Sequence, residues 1–484
     1  MRNLITRRMA VLMVLTAFAV VGANASATPI TWYVDDDGTP GVDCDFNTIQ
    51  EAIGAASDGD TIMIAAGYYT SGLPGIRINK DLTVKGAGPA NTRIDVEGNG
   101  HGIYIDVDGV TLSDLFIEGA YYRNIVFYLA DVSDILVDNV ESTGAGSSGI
   151  EVHSSEVTNL QITHSSFHDN GYSGIRVSSD SEVCGLTIDD SDFIDNAGIG
   201  IYLIGKVEDL SISACEVTES GLHGAYIAWL DGGLIDGTHF EGNGDADNDE
   251  PSGIKISAHD GQPVDNLTIR DCQFVENGEE AMTGVGEDAG NGLLISSKTA
   301  TSSGFLIEDC LFENNKHHGL IAYGRSGGSV TDIIVRGSTF AGHSQYGIST
   351  LYDGSPAAIV DALANWWGDN SGPYHPTTNP GGLGDEVSDS VLFDPWIKTT
   401  PNASEAKEEI DDNIEHKGTA NSLKAKLDAA VKQLEKGNEK AAINILKAFI
   451  NEVEAQKGKK IDADFADQLI EWAEAWIDDP SLAN

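Results

Sequence analysis

The stretch FHDNGYSGIRV, Phe167 to Val177, is followed 26 residues later by FIDNAGIGIYL, Phe193 to Leu203. The same order of residue types runs through most of the chain. A Leu-x-Ile-type triplet begins at 110, 135, 160, 186, 210, 233, 267, 305, 333 and 359, with a commonest step of 23 to 28 residues. Seven residues after a triplet begins stands an apolar column: Phe167, Phe193, Val217, Phe240, Phe274, Phe312, Phe340 and Trp366. Three residues further on comes a polar column: Asn170, Asn196, Ser220, Asn243, Asn277, Asn315 and His343. A second triplet follows a glycine, as in Gly174-Ile-Arg-Val177, Gly200-Ile-Tyr-Leu203, Gly224-Ala-Tyr-Ile227, Gly253-Ile-Lys-Ile256 and Gly292-Leu-Leu-Ile295.

Each triplet is the in-out-in pattern of a very short strand. Gly and Asn accept positive φ and mark corners between strands. The repeat region shows no 3.6-residue period. Several short strands per ~25 residues, stacked many times, predict an all-β parallel solenoid with coils ~4.8 Å apart. Ten to twelve such coils make a rod on the order of 50 Å long. Like residues then stack on like, so the Asn column is expected to form a buried amide ladder.

Residues 1–27 read as a secretory signal peptide. Arg2, Arg7 and Arg8 precede the apolar run Met9 to Gly22, and Ala25-Ser26-Ala27 is a small-residue cleavage site. The expected localisation is secreted, extracellular or at the cell surface, with no membrane insertion. Removing the segment leaves 25 basic residues against 76 acidic ones, a net charge of −51. Such a surface repels nucleic acid and anionic membranes. It suits surroundings rich in calcium or salt, or serves solubility alone. The five cysteines do not suggest a disulfide scaffold, and most are expected as buried free thiols. Cys272 and Cys310 share one column in successive coils, where parallel Cβ vectors disfavour a bridge.

The chain resembles the right-handed parallel β-helix, pectin-lyase-like superfamily over residues 31–397. The opening YVDDDG…FNTIQEAIGAASDGDTIMIAAGYY with INKDLTVKGAG is similar to the N-terminal cap and first coils of secreted members. Asn47 or Thr48 is expected to cap a short helix whose Ile49, Ala52, Ile53 and Ala56 form one face. The segment ANWWGDNSGPYHP resembles their closing segment, so Trp366, Trp367 and Trp396 are expected over the last coil. The domain boundaries expected are a solenoid over 28–397, a polar linker over 398–409 and a helical domain over 410–484. Helical faces are Leu423, Leu427, Ala430, Val431 and Leu434, then Ile445, Leu446, Phe449, Ile450 and Val453, then Phe465, Leu469, Ile470, Ala473, Trp476 and Ile477. Gly437 and Gly458 read as stops for the first two. This segment is similar to the FIMAH domain, which implies extracellular work beside carbohydrate-related domains.

The superfamily holds lyases, hydrolases, epimerases and non-enzymatic surface proteins, so activity must be read from the site. From Phe column to Gly column the interval is usually 7 residues, but 13 from Phe240 to Gly253 and 18 from Phe274 to Gly292. Both insertions are acidic, and they fall in the same turn of consecutive coils. The turn after the second triplet is also long here, at 257–266, 296–304 and 323–332. Two walls beside one strand predict a groove. Its floor is the outward column Glu151, Arg176, Tyr202, Tyr226, Lys255, Leu294 and Ile321. Rings for sugar faces and cations for carboxylates suit an acidic polysaccharide or cell-surface glycan as partner. An ordinary exposed ladder of stacked side chains is the plain alternative.

Asp245, Asp247, Asp249 and Glu250 place carboxylates at the spacing hard cations favour, so Ca2+ is the expected cofactor, although the EF-hand pattern is not met. If the chain is a lyase, β-elimination is expected, with Lys255 or Arg176 taking the C5 proton. His259, Asp260, Lys298, Arg325, His317 and His318 are helpers, His259, Lys298 and Arg325 joining Tyr202 and Tyr226 in substrate binding. If it is a hydrolase, Asp189 and Asp190 or the loop acids are the candidate pair. The lyase WIDH and RxPxxR and the epimerase DPHD motifs are absent, and the polygalacturonase pair of NTD with GHG is not complete, since NTD is missing. The competing expectation is a non-catalytic adhesion or structural β-helix.

Overall fold

The computed structural model describes residues 28–244, 251–278, 290–352, 355–356, 358–398 and 402–478. It is a right-handed β-solenoid of about 12 turns followed by four helices. Each coil contributes to three parallel ladders. The first carries the Leu-x-Ile triplets, as in Leu160↔Leu186 and Ile162↔Ile188. The second carries the Phe column, as in Phe167↔Phe193 and Phe274↔Phe312. The third carries the Gly-Ile triplets, as in Ile175↔Ile201 and Ile254↔Leu293. Inward Ile, Leu, Val and Phe side chains from all three fill one continuous core.

Like stacks on like within that core. Phe167 lies on Phe193, and Phe240, Phe274, Phe312 and Phe340 form an unbroken stack with centroids 4.7 to 5.2 Å apart. Trp367 continues it at 5.0 Å from Phe340. This corrects the expectation for Trp366. The last triplet begins at Val360 rather than 359, because Ile333 pairs with Val360, and every later column moves one residue along.

The Asn ladder forms. Asn170 Nδ2 donates to Asn196 Oδ1 at 3.0 Å, Asn243 to Asn277 at 3.1 Å, and Asn277 to Asn315 at 2.9 Å. The same amides donate to the backbone carbonyls of Val217, Phe240 and Phe274. A second ladder runs at the corner between the first and second strands of each coil. Ser165, Ser191, Cys215, Thr238, Cys272, Cys310 and Ser338 each donate to the carbonyl two residues earlier. The thiols therefore serve as hydroxyl equivalents, and all five cysteines are free. Burial pushes the Cys215 thiol up to about 12, which keeps it unreactive.

The chain turns these corners with positive φ. Asp169, Asp195 and Glu219 hold φ of 51 to 53° in successive coils, and Asp271 and Asp309 hold 53° at another corner. Asp and Asn tolerate this region better than other side chains. A minority of the acidic residues thus serve corner geometry.

Thr48, not Asn47, caps the N-terminal helix Ile49–Ala55. Asn47 instead donates to the carbonyls of Asp35 and Gly38. Trp396 packs against the last coil and donates to the Asn370 carbonyl. The helix Ala403–Asn413 begins inside the segment expected as a linker and is capped reciprocally by Asn402 and Glu405. Its apolar stripe is only Ala403, Ala406, Ile410 and Ile414, too sparse to stand out in a polar stretch. Helices Lys417–Leu434, Glu439–Gln456 and Ala463–Asp478 bury the remaining expected faces.

Two outcomes are expected. Asn277→Ala strands buried groups of Asn243 and Asn315 at about 1–3 kcal/mol each, and it should lower the thermal midpoint measured by circular dichroism. Raising salt from low ionic strength should raise the wild-type midpoint, because stacked corner carboxylates repel through water.

Candidate functional site

The third ladder turns one face outward. Its central outward column reads Arg77, Tyr104, Val126, Glu151, Arg176, Tyr202, Tyr226, Lys255, Leu294 and Ile321. The expected floor from Glu151 to Ile321 is one aligned column. It changes character along its length. Arg176, Tyr202 and Tyr226 are partly exposed, whereas Lys255 is 8% exposed and Leu294, Ile321 and Tyr323 form a separate buried apolar cluster outside the bore. The open part of the described column therefore lies below Lys255 rather than at Lys255, Leu294 and Ile321. Asp245, Asp247, Asp249 and Glu250 lie outside the described residues, as do Glu279, Glu280, Glu287 and Asp288.

Open rings and cations alternate along the strip. Arg77 lies over Tyr104 at 4.6 Å, Arg176 over Tyr202 at 5.6 Å, and the Lys255 ammonium over Tyr226 at 6.0 Å. Tyr172, Tyr202 and Tyr226 meet edge to face at 5.5 to 5.6 Å. Burial first, then neighbouring Tyr172, raises the Tyr202 hydroxyl above its ordinary range. Buried His223 sits 5.8 Å from the Tyr226 ring, and burial together with Lys255 holds it well below the usual imidazole range.

The lower half of the strip was missed in the sequence. Tyr122 and Tyr128 are exposed, and Tyr128 stacks on His153 at 5.3 Å with planes 4° apart. His101 packs among Tyr104, Tyr122 and Tyr128 at 5.3 to 6.0 Å. The available signal was weak: RNIVFY aligns 25 residues before SGIEVH, but it lacks the corner glycine that marks the later coils.

His259, Lys298 and Arg325 come together. Each follows the last residue of a third-ladder strand, since Ala258 pairs with Ser297 and Ser297 with Gly324. Lys298 N–H donates to the Ala258 carbonyl and Arg325 N–H to that of Ser297, both at 2.9 Å. They form a basic column at the strand ends. His259 also bonds Asp260 at 3.0 Å. Asp189 and Asp190 stand elsewhere, at the end of first-ladder strand Glu182–Asp189 and in the turn after it. They do not share the Arg176 face. His317 and His318 lead into strand His318–Gly324, at the opposite end from Arg325.

The imidazole of His101 is pushed down to about 4, first by burial and then by Arg123. A depressed folded-state value means that its contribution to stability is present above about 6.5 and lost as pH falls toward 4. An NMR titration should show His101 titrating near 4, and Arg123→Gln should move that midpoint upward.

Residues 173–361 match the family model of the right handed beta helix region, and residues 408–478 match the FIMAH domain. No curated protein matches the sequence. Similar solved structures include the catalytic domain of a GH87 alpha-1,3-glucanase in complex with nigerose, at 16% identity and TM-score 0.46 over 69% of this chain and 63% of that one. Others are pectate lyase Pel9A, at 14% and 0.34 over 77% and 80%, and the A-module of an Azotobacter vinelandii mannuronan C-5 epimerase, at 15% and 0.33 over 72% and 93%. The chain spans just under two thirds of the glucanase chains. Among the described residues no helix is long and apolar enough to cross a membrane. By fold and by both family models, the chain is a right-handed β-helix protein that carries a FIMAH domain behind its solenoid.

Proposed function

We propose that this is a secreted carbohydrate-acting protein whose third-ladder face takes an acidic polysaccharide and cleaves it by calcium-assisted β-elimination. One observation carries the reading. On a chain with 28 basic residues against 76 acidic ones, this face gathers Arg77, Arg123, Arg176 and Lys255 among tyrosines. The carboxylates in its outward columns between Arg77 and Lys255 are Asp106 and Glu151, and both are ion-paired to arginine. From Arg77 to Lys255 is seven coil steps, on the order of 35 Å. That length holds several sugar rings against ring faces and cations.

In the elimination, the C5 proton passes to the Lys255 amine while the C4–O bond breaks and a C4–C5 double bond forms. The leaving oxygen takes a proton from water. Its position where the open strip becomes buried supports this role for Lys255. Arg176 is better suited to bind the carboxylate than to act as base, since a guanidinium does not give up its proton in proteins. His259, Lys298 and Arg325 offer a second row of anion contacts. Asp245, Asp247, Asp249 and Glu250 are the proposed calcium ligands. The rival reading, a non-catalytic glycan-binding surface protein, is favoured by the ion pairing of Asp106 and Glu151, which leaves no free carboxylate pair on the strip among the described residues.

Uronate polymers incubated with the protein and calcium should yield new unsaturated ends by ultraviolet absorbance. Chelation should stop the reaction, and Lys255→Ala should slow it by about 100-fold or more. Retention of polymer without unsaturated or reducing ends would replace the enzyme reading with the binding one.

A further inference from the structure

We propose that Arg123, Glu151 and Arg176 form a subsite for the carboxylate of one uronate residue, with Glu151 as its positioning residue. This rests on the polysaccharide reading above and places a specific recognition point within it, away from the two insertions.

Glu151 is fully buried although it faces outward from the solenoid. It accepts from Nε and Nη2 of Arg123 at 2.6 and 2.9 Å, on the strand one coil below. It accepts from Nη1 of Arg176 at 3.3 Å, on the strand one coil above. His153 Nδ1 at 3.2 Å and Ser148 Oγ at 3.5 Å complete its surroundings. Two guanidiniums share one carboxylate, so positive charge remains for a ligand. Their side chains keep 14% and 25% exposure. Glu151 also fixes their planes: Arg123 lies 6.0 Å from the Tyr122 ring and Arg176 lies 5.6 Å from that of Tyr202.

A second observation is independent of this pairing. Arg176 Nε and Ser173 Oγ are buried and find no hydrogen-bond partner among the described residues. Both sit on the strand Ser173–Val177. Buried donors left unmade are costly, so this strand holds polar groups that the described residues do not satisfy. A carboxylate matches the partly exposed guanidiniums of Arg123 and Arg176 in charge, in planarity and in having two oxygens. The rings of Tyr172 and Tyr202, 5.6 Å apart on the same strip, supply apolar surface for the sugar ring that bears it. A neutral sugar offers hydroxyl acceptors but leaves the guanidinium charge unmatched.

The test is calorimetric titration of the full chain with hexamers of galacturonate and of mannuronate, with a neutral glucose hexamer as control. Arg123→Gln and Arg176→Gln should each weaken uronate binding at least tenfold. Arg176→Lys should do nearly the same, because an ammonium keeps the charge but not the planar fork. Glu151→Gln separates positioning from attraction. It makes the strip more positive, so attraction alone would tighten binding, whereas a positioning role weakens it by about tenfold and Glu151→Asp restores part of the loss. If Glu151→Gln proves too unstable by thermal melt, Arg176→Lys carries the test. Unchanged or tighter binding in Arg176→Lys and Arg176→Gln overturns the subsite while wild-type binding keeps the polysaccharide reading. Equal affinity for the glucose hexamer overturns the subsite and the acidic selectivity of the polysaccharide reading together. A wild-type chain that binds neither uronate overturns both.

Discussion

In-register stacking is the constraint on which everything else in this solenoid depends. Every residue sits one strand spacing, ~4.8 Å, from its counterparts above and below. A column is stable only if its members tolerate one another at that distance. Apolar columns do so freely, hence the Phe stack that ends on Trp367. Buried polar columns need groups that both donate and accept. The Asn amide meets that demand, and so do Ser, Thr and Cys at the other corner. Where the Asn column ends, His343 accepts the last amide and is itself bound to Asp385.

The same rule acts against charge. A buried column of like charges cannot stand, so the buried Glu151 lies between Arg123 on the strand below and Arg176 on the strand above. The corner positions escape the rule because water screens them. They require positive φ, which Asp, Asn and Gly supply, and their carboxylates add to the negative charge of the chain.

Much of the fold could be read from the sequence because columns are written out in order. The triplets, the Phe column and the Asn column appear in the structure where the repeat put them, apart from the one-residue offset at Val360. The hydroxyl and thiol ladder escaped notice because Ser, Thr and Cys look unrelated until each is seen to bond the same carbonyl. The helix Ala403–Asn413 escaped because four small or aliphatic residues make a faint stripe. For the site, alignment alone gave the column from Glu151 to Ile321 and brought His259, Lys298 and Arg325 into register. It did not reveal the lower rings or Arg123.

The sequence by itself determined the solenoid, since periodic apolar and amide columns have no other way to be buried. It also determined which side chains face outward, because that follows from strand alternation. Only the tertiary structure decided which of those outward side chains meet solvent. Lys255, Leu294 and Ile321 occupy the same outward column as Arg176 and Tyr202, yet they are buried and the latter are open. Only the structure, too, showed that Glu151 is enclosed between two arginines, because such a pairing depends on side-chain reach between coils rather than on the repeat.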